Sequence, residues 1–149
     1  MSFAELLAPG QILPDLKARN KAEVLGELSA AIVGRFNCIR QDELVRILEN
    51  REAIGTTAVG EGVAIPHGKL QGIDEAVLVV GRSLDGINFA AADGQPCHIF
   101  FLVLAPEGGA GQHLKLLAQI ARRAKDSMFR QNFMQAGDAE KLLDLLKEP

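Results

Sequence analysis

Histidine is the side chain in this sequence best suited to reversible covalent chemistry, and the chain has three. His67 lies in the segment AVGEGVAIPHGKL, between Pro66 and Gly68. Proline stiffens the backbone that leads to the ring, and glycine lets a phosphate or a partner's backbone come close. A neutral imidazole can attack through one nitrogen while the other keeps its proton on an acceptor, usually a backbone carbonyl. His67 is therefore a candidate nucleophile, and the alternative is an ordinary loop histidine hydrogen-bonded to the chain.

Two phosphate-binding patterns fail at this segment. The dinucleotide pattern GxGxxG, started at Gly60, needs a glycine where the sequence has Ile65. The P-loop pattern, ended at Gly68-Lys69, needs a glycine where the sequence has Val63. The histidines do not form the zinc pattern HExxH, and the two cysteines lack metal-type spacing. The sequence thus predicts no nucleotide cradle, no metal and no cofactor. A metal site built from the three histidines is an alternative.

Composition and charge argue against several kinds of partner. The 149 residues fit one domain, with 48% hydrophobic and 23% charged residues, as in ordinary globular proteins. The net charge is -3 and there is no Trp or Tyr, so the chain offers nucleic acid neither a basic surface nor stacking platforms. No apolar run has the length of a membrane helix, and no signal peptide is recognisable. We expect a cytoplasmic protein without nucleic-acid binding or membrane insertion, with Cys38 and Cys97 as reduced core thiols rather than a disulfide.

Helical periodicity and end signals predict the helices that must position His67. Asn20 caps a first helix, and Gly55 ends a second. A glycine-rich loop then leads into a third helix, and two short helices follow, capped by Asp126 and Asp138. The expected buried face of the third helix is Leu114, Leu117, Ile120 and Ala121.

Two continuous apolar runs, residues 76–84 and 98–105, are typical of central strands covered on both faces. The segment QILPDLKA predicts a short edge strand, since Pro14 cannot donate to a ladder. Residues 85–96 are expected to form a turn, a short edge strand and a second turn. Helices that alternate with strands predict an α/β architecture around one sheet.

The stretch REAIGTTAVGEGVAIPHGKL, residues 51–70, resembles the active-site signature of the fructose/mannitol-type enzyme IIA proteins of the bacterial phosphoenolpyruvate-dependent sugar phosphotransferase system. It is most similar to the nitrogen-regulatory branch. A DGQP turn before an apolar strand and an LAP…HL junction into a helix extend the resemblance over nearly the whole chain. The resemblance implies one mannitol-type enzyme IIA domain over residues 1–149, with a mixed β-sheet of about five strands flanked by helices on both faces.

The resemblance also implies roles for particular residues. In that family the histidine of the IPHGK motif, here His67, is phosphorylated. His113 matches a second family histidine, which would support the phosphate or the tautomer of the first. Arg51 matches the family's arginine before the glycine turn, and Thr56 and Lys69 join it as candidates for binding phosphate or a partner. For each of these residues an ordinary structural role is the alternative.

Three other positions depart from the family pattern or match none of its functional residues. Ala58 stands where the family often has glycine, and it is not expected to need positive φ. Glu61 either faces away from His67 or repels its phosphate, and the sequence leaves both open. The glycines on either side of Glu61 are expected to clear space for an approaching partner. His98 matches no functional position and is expected to be structural.

The leading hypothesis is therefore a phosphohistidine phosphotransfer protein that acts mainly as a nitrogen or metabolic regulator. The resemblance implies that a histidine phosphocarrier protein, HPr or its nitrogen-branch counterpart, donates the phosphoryl group, and that regulated target proteins respond to it. The chain carries no IIB or IIC domain, which favours this role over that of a sugar-transport subunit that passes phosphate to a IIB domain. A regulatory binding module that works without phosphorylation is the alternative from another class.

Overall fold

The part of the chain that the computed structural model describes, residues 3–36 and 39–148, contains one six-stranded sheet. The strands are β1 (Ile12–Leu13), β2 (Ala58–Gly60), β3 (Val63–Ala64), β4 (His67–Leu70), β5 (Val77–Ile87) and β6 (Cys97–Pro106). The order across the sheet is β1, β5, β6, β3, β2, and β4 also pairs with β6. The sheet is mixed, because β5 runs antiparallel to β6 while β3 and β4 run parallel to it. The predicted edge strand before Pro14 is confirmed as β1.

The strand that carries the candidate nucleophile is interrupted. Val63 in β3 pairs with Ile99, and His67 in β4 pairs with Val103, so both segments pair with β6. Between them, the carbonyl oxygen of Pro66 accepts a hydrogen bond from the Val103 N–H at 2.9 Å. The backbone that leads to His67 is thus held against β6, a strand that is buried along most of its length.

Five α-helices in the described ranges cover both faces of this sheet, as predicted. On one face lie α1 (Lys21–Val33) and α2 (Gln41–Ile54); on the other lie α3 (Ala110–Lys125), α4 (Ser127–Gln135) and α5 (Ala139–Lys147). Two short 3₁₀ helices, Phe3–Leu6 and Pro9–Gln11, precede β1. The predicted caps are confirmed: the side chains of Asn20, Asp126 and Asp138 accept from the first turns of α1, α4 and α5, and Gly55 follows α2. Of the helices in residues 3–36 and 39–148, none is long and apolar enough to cross a membrane.

Alternation along β6 sends its side chains into two separate cores. Phe100 and Leu102 face α1 and α2, whereas Phe101 and Val103 face α3, α4 and α5. All four are fully buried, and each contributes about 1.5–3 kcal/mol relative to an exposed side chain. The two cores pack helices against both faces of β6, the strand beside His67.

One expectation about these elements is wrong in part, and a second is wrong. The predicted face of α3 is confirmed at Ile120, with Leu117 and Ala121 partly buried against the same core, but Leu114 is 67% exposed and the buried positions nearest to it are His113 and Leu116. Successive helical residues lie about 100° apart, so a buried His113 turns Leu114 away from the core. No separate strand forms within residues 88–96, because β5 itself runs to Ile87 and a loop follows.

Cys97 is free and buried in the core beneath α1 and α2. Burial raises the pKa of its thiol to about 11, so the thiol is protonated near neutral pH. The prediction of a reduced core thiol is confirmed for Cys97, whereas Cys38 lies outside the described residues.

Candidate functional site

His67 is the first residue of β4, and its ring is half-buried on the face of the sheet that α3 covers. Its Nδ1 lies 2.7 Å from the backbone carbonyl oxygen of Ile65. A carbonyl oxygen can only accept a hydrogen bond, so Nδ1 holds the proton and Nε2 holds the free lone pair. The carbonyl acceptor that a nucleophilic imidazole needs is therefore present in the structure.

His113 brings a second imidazole to the same place. It lies in the first turns of α3, and its ring centroid is 5.5 Å from that of His67, with the ring planes inclined by 50°. His113 is only 8% exposed, and within the described parts of the chain its buried Nδ1 has no hydrogen-bond partner. Burial, with smaller contributions from His67 and Lys69, lowers the pKa of His113. The ring is therefore mainly neutral at pH 7, and its unpaired nitrogen suits a phosphate oxygen or a water molecule.

Lys69 and Gly68 lie on opposite faces of β4, because side chains alternate along a strand. Lys69 is exposed, and its ammonium is close enough to His113 to help lower the pKa of that ring. A Cβ at Gly68 would lie 2.8 Å from Cγ2 of Ile47, on α2. The glycine therefore lets α2 approach the sheet, and the expectation that it opens space for a phosphate or a partner is wrong.

Arg51 and Thr56 flank the end of α2, and both already make hydrogen bonds within the chain. Arg51 lies one turn beyond Ile47, and its Nη1 donates to the carbonyl oxygen of Gly55 at 3.0 Å. The Thr56 hydroxyl donates to the carbonyl oxygen of Phe89 at 2.7 Å. Their predicted roles in binding phosphate or a partner stay predictions, and each role requires that the present bond be given up.

The glycines that precede His67 build a turn at a distance from it. Gly60, Glu61 and Gly62 all have positive φ and join β2 to β3 in a tight hairpin. Val63, at the end of this turn, pairs with β6 four residues before the partner of His67, about 13 Å away along the strand. The expectation that these glycines clear space beside His67 is wrong, since they serve the turn. Ala58 does not have positive φ, as predicted.

The orientation that the sequence leaves open for Glu61 follows from this hairpin. The side chain of Glu61 is 70% exposed, and one carboxylate oxygen lies 3.5 Å from Nη2 of Arg130, on α4. Glu61 precedes Val63 in the hairpin, so its backbone lies more than about 13 Å from His67 along the strand, and direct repulsion of a phosphate on His67 is not its role.

His98 lies apart from the other two histidines. Its Nδ1 lies 2.9 Å from the carbonyl oxygen of Ser83, and its ring packs against the backbone of Gly86. This is the structural role predicted for it. In residues 3–36 and 39–148, no three His, Cys, Asp or Glu side chains are grouped so that they could hold a metal ion.

Sequence reasoning missed Glu52, a carboxylate buried beneath the same segment. It is 8% exposed and follows Leu44 and Leu48 on the inward face of α2, at a spacing of four residues. That spacing is the signal that could have identified it as buried, because residues four apart share a helix face. A buried carboxylate needs partners, and Glu52 has two, Lys21 and Thr57.

Comparisons with known proteins agree with this architecture. The family described as "Phosphoenolpyruvate-dependent sugar phosphotransferase system, EIIA 2" matches residues 5–148. A crystal structure of the nitrogen regulatory protein IIA-Ntr from Neisseria meningitidis superposes with a TM-score of 0.90 at 28% identity, covering 97% of this chain and 98% of that one. The IIA mannitol structure from Escherichia coli shares the fold, with a TM-score of 0.77 at 19% identity over 94% of this chain and 98% of that one. The predicted mannitol-type fold is confirmed.

Two relatives extend the comparison to sequence. A nitrogen regulatory protein of Bradyrhizobium diazoefficiens is 40% identical over 100% of this chain and 97% of that protein. The fructose-specific EIIABC component of Bacillus subtilis is 31% identical over 99% of this chain, which spans 23% of that longer protein. The chain thus belongs to the enzyme IIA type 2 family of the phosphoenolpyruvate-dependent sugar phosphotransferase system.

Proposed function

We propose that this chain is a phosphohistidine phosphotransfer protein that accepts a phosphoryl group on Nε2 of His67. The observation that carries the proposal is the 2.7 Å hydrogen bond between Nδ1 and the carbonyl oxygen of Ile65, which leaves the lone pair on Nε2. Membership of a phosphotransferase-system family supports phosphoryl transfer as the chemistry. The proposed donor is a histidine phosphocarrier protein, HPr or its nitrogen-branch counterpart.

The transfer exchanges one N–P bond for another. The lone pair of Nε2 forms the new bond to phosphorus while the bond to the donor's ring nitrogen breaks and its electron pair stays with the donor. A donor ring that is protonated on its other nitrogen leaves as neutral imidazole, and His67 becomes the protonated phosphoimidazole. The Nδ1 proton of His67 stays on Nδ1, hydrogen-bonded to the Ile65 carbonyl oxygen, so the step needs no net proton transfer. What the protein must supply is alignment and stabilisation of negative charge.

The groups around His67 fit that requirement. His113 has a buried nitrogen beside the site that is unpaired among the residues the structure describes. The arrival of about two negative charges would raise the pKa of its imidazole and favour its cationic form. Lys69 adds a nearby positive charge. Arg51 and Thr56 serve in this proposal as contacts for phosphate or a partner that form when the donor docks.

We further propose that the role is mainly regulatory, with the phosphorylated state of His67 read by target proteins in the cytoplasm. The supporting observation is the likeness to the nitrogen regulatory protein of Bradyrhizobium diazoefficiens, which covers 100% of this chain and 97% of that protein. A sugar-transport role, with transfer to a IIB domain, is the second candidate, supported by the likeness to part of the Bacillus subtilis fructose-specific component. A phosphorylation-independent binding module is the third.

Labelling from radioactive phosphoenolpyruvate with purified general phosphotransferase proteins tests the proposal. The wild-type chain is expected to take up one phosphoryl group and the His67→Ala variant none. His98→Gln is the matched control, because it changes a histidine whose ring is engaged elsewhere, and it should label as the wild type does. Full labelling of His67→Ala would overturn the assignment, and an unlabelled wild type would favour the binding module.

A second measurement separates the regulatory from the transport role. The labelled chain is mixed with a purified fructose-type IIB domain, and the label on each protein is followed with time. Retention of the label supports the regulatory role. Rapid movement to the IIB domain supports transport.

A further inference from the structure

We propose that Glu52 is a positioning residue that sets the tautomer of His67 from the opposite face of the sheet. Glu52 touches neither the His67 ring nor any reacting atom; it acts through Thr57 and the backbone of Ile65. This inference rests on the proposed phosphorylation only for its effect on transfer. Its effect on the tautomer can be measured in the unphosphorylated protein.

The carboxylate of Glu52 binds Thr57 at two points. One oxygen accepts the backbone N–H of Thr57 at 3.0 Å, and the other accepts the Thr57 hydroxyl. The first oxygen also lies 2.9 Å from Nζ of Lys21, at the start of α1. Glu52 and Thr57 are both buried, so these bonds are shielded from competition with water.

Thr57 passes this restraint to the residue that holds the histidine. The carbonyl oxygen of Thr57 accepts the backbone N–H of Ile65 at 3.0 Å. The carbonyl oxygen of Ile65 accepts Nδ1–H of His67 at 2.7 Å. Hydrogen bonds and short stretches of backbone thus connect Glu52 to His67 through Thr57 and Ile65.

The Ile65 carbonyl, which accepts from His67, is held by other contacts as well. The bond between Thr57 and the Ile65 N–H adds to these contacts. The Ile65 side chain is buried in the core beneath α3, and the next carbonyl, of Pro66, is bonded to β6. With Thr57 in place, the Ile65 carbonyl is aimed at Nδ1. Without it, β3 and Pro66 still pair with β6, but the peptide of Ile65 between them loses its own backbone bond.

A charged carboxylate is required because all of its partners are donors. Lys21 offers an ammonium, which also lies 4.6 Å from the centre of the Phe89 ring, and Thr57 offers an N–H and a hydroxyl. A glutamine at position 52 has one acceptor oxygen, and its NH₂ would meet a donor. At least one bond to Thr57 or Lys21 is then lost, and a buried donor is left unpaired.

The test is the tautomer of unphosphorylated His67, read from nitrogen NMR of its ring, in the full-length chain. The wild type is expected to hold the proton on Nδ1. In Glu52→Gln the proton is expected to divide between Nδ1 and Nε2, and the phosphoryl transfer rate should fall by about five- to tenfold, the factor that one net hydrogen bond is worth. KM for the donor should not change, because the docking surface is untouched.

Two further variants keep the test decisive. Glu49→Gln changes an exposed glutamate of the same helix and should leave the tautomer and the rate as in the wild type. Thr57→Val keeps the volume and the backbone N–H bond but removes the hydroxyl, so it should shift the tautomer in the same direction. It provides the test if Glu52→Gln does not fold. A folded Glu52→Gln or Thr57→Val variant with the proton wholly on Nδ1 would overturn this inference. Failure of the wild type to be labelled would instead overturn the proposed function, whatever the tautomer.

Discussion

The rings of His67 and His98 are each anchored through Nδ1 to a backbone carbonyl oxygen, that of Ile65 at 2.7 Å and that of Ser83 at 2.9 Å. Both rings are half-buried, and both belong to strands of the same sheet. The same argument therefore applies to each: the carbonyl holds the proton on Nδ1 and leaves the lone pair on Nε2.

The two sites differ in what the second nitrogen faces. A Cβ at Gly86 would lie 3.0 Å from Nε2 of His98 and 2.9 Å from Cε1, so that edge of the ring packs against backbone. The His67 ring instead lies beside His113, whose own Nδ1 is unpaired among the described residues. A fixed tautomer is therefore not enough for a nucleophile. The free nitrogen must also face groups that can receive the new charge.

The largest effect on phosphorylation is expected from changing His113, which lies beside the ring of His67 and not beside that of His98. His113→Ala should slow phosphorylation of His67 by about a hundredfold, the usual loss when one preorganised group that stabilises developing charge is removed. His113→Gln should lose less, since an amide can still donate to a phosphate oxygen. The rate of labelling by a phosphorylated carrier measures both, with Lys115→Ala as a control on the exposed side of α3. A wild-type rate in His113→Ala would remove the distinction between the two sites.

The next largest effect is on stability, and it is expected where Gly86 packs against the ring of His98. Gly86→Ala should lower the free energy of unfolding by about 2–4 kcal/mol, because Gly86 has positive φ and the added methyl would strike the His98 ring. Gly94→Ala separates the two causes, since Gly94 also has positive φ but open space around its Cα. It should cost only about 1–2 kcal/mol. Urea denaturation measures both, and equal losses would contradict the proposed contact.

Removing the His98 anchor should cost less. His98→Gln is expected to lower the free energy of unfolding by about 1 kcal/mol, the net value of the hydrogen bond to Ser83. The rate at which folded His98→Gln is labelled should stay at the wild-type value. A large drop in that rate would mean that His98 takes part in the chemistry after all.

The smallest effect concerns pH. Burial, with His67 and Lys69, lowers the pKa of His113 in the folded protein, while the unfolded chain keeps the ordinary value of about 6.5. As the pH falls through 6.5, the unfolded state binds this proton before the folded state does, so the contribution of His113 to stability decreases on acidification. His113→Gln should therefore lose less stability than the wild type between pH 7.5 and pH 5.5. Urea denaturation of both proteins at the two pH values measures this. If the variant and the wild type lose the same free energy of unfolding between them, the lowered pKa is contradicted.

Local signals in the sequence predict the helices and central strands well. Caps such as Asn20 and Asp138 act within one turn of their own helix, and the apolar runs of β5 and β6 reflect burial on both faces. The prediction of His67 as the candidate nucleophile depends on the specific IPHGK segment, which is also local. The exposure of Leu114 was missed because a histidine takes the buried position beside it, which hydrophobic periodicity does not anticipate.

The missed features of the site come from contacts between distant segments. The sequence predicts that Gly68 opens space for a phosphate, but a glycine stands there because Ile47 approaches from α2. The support that Glu52 gives to Thr57 depends on how α2 returns to the sheet, and the spacing of the sequence shows only that Glu52 is buried. Such contacts are set by tertiary packing, which composition and periodicity do not encode.

The central claim is that the tautomer and surroundings of His67 direct a phosphoryl group to one nitrogen of one histidine. Combined phosphorus and nitrogen NMR of the phosphorylated chain identifies the nitrogen that bears the phosphoryl group. The account predicts a single N–P bond, at Nε2 of His67. Phosphate on Nδ1 of His67, or on either nitrogen of His98 or His113, would contradict it.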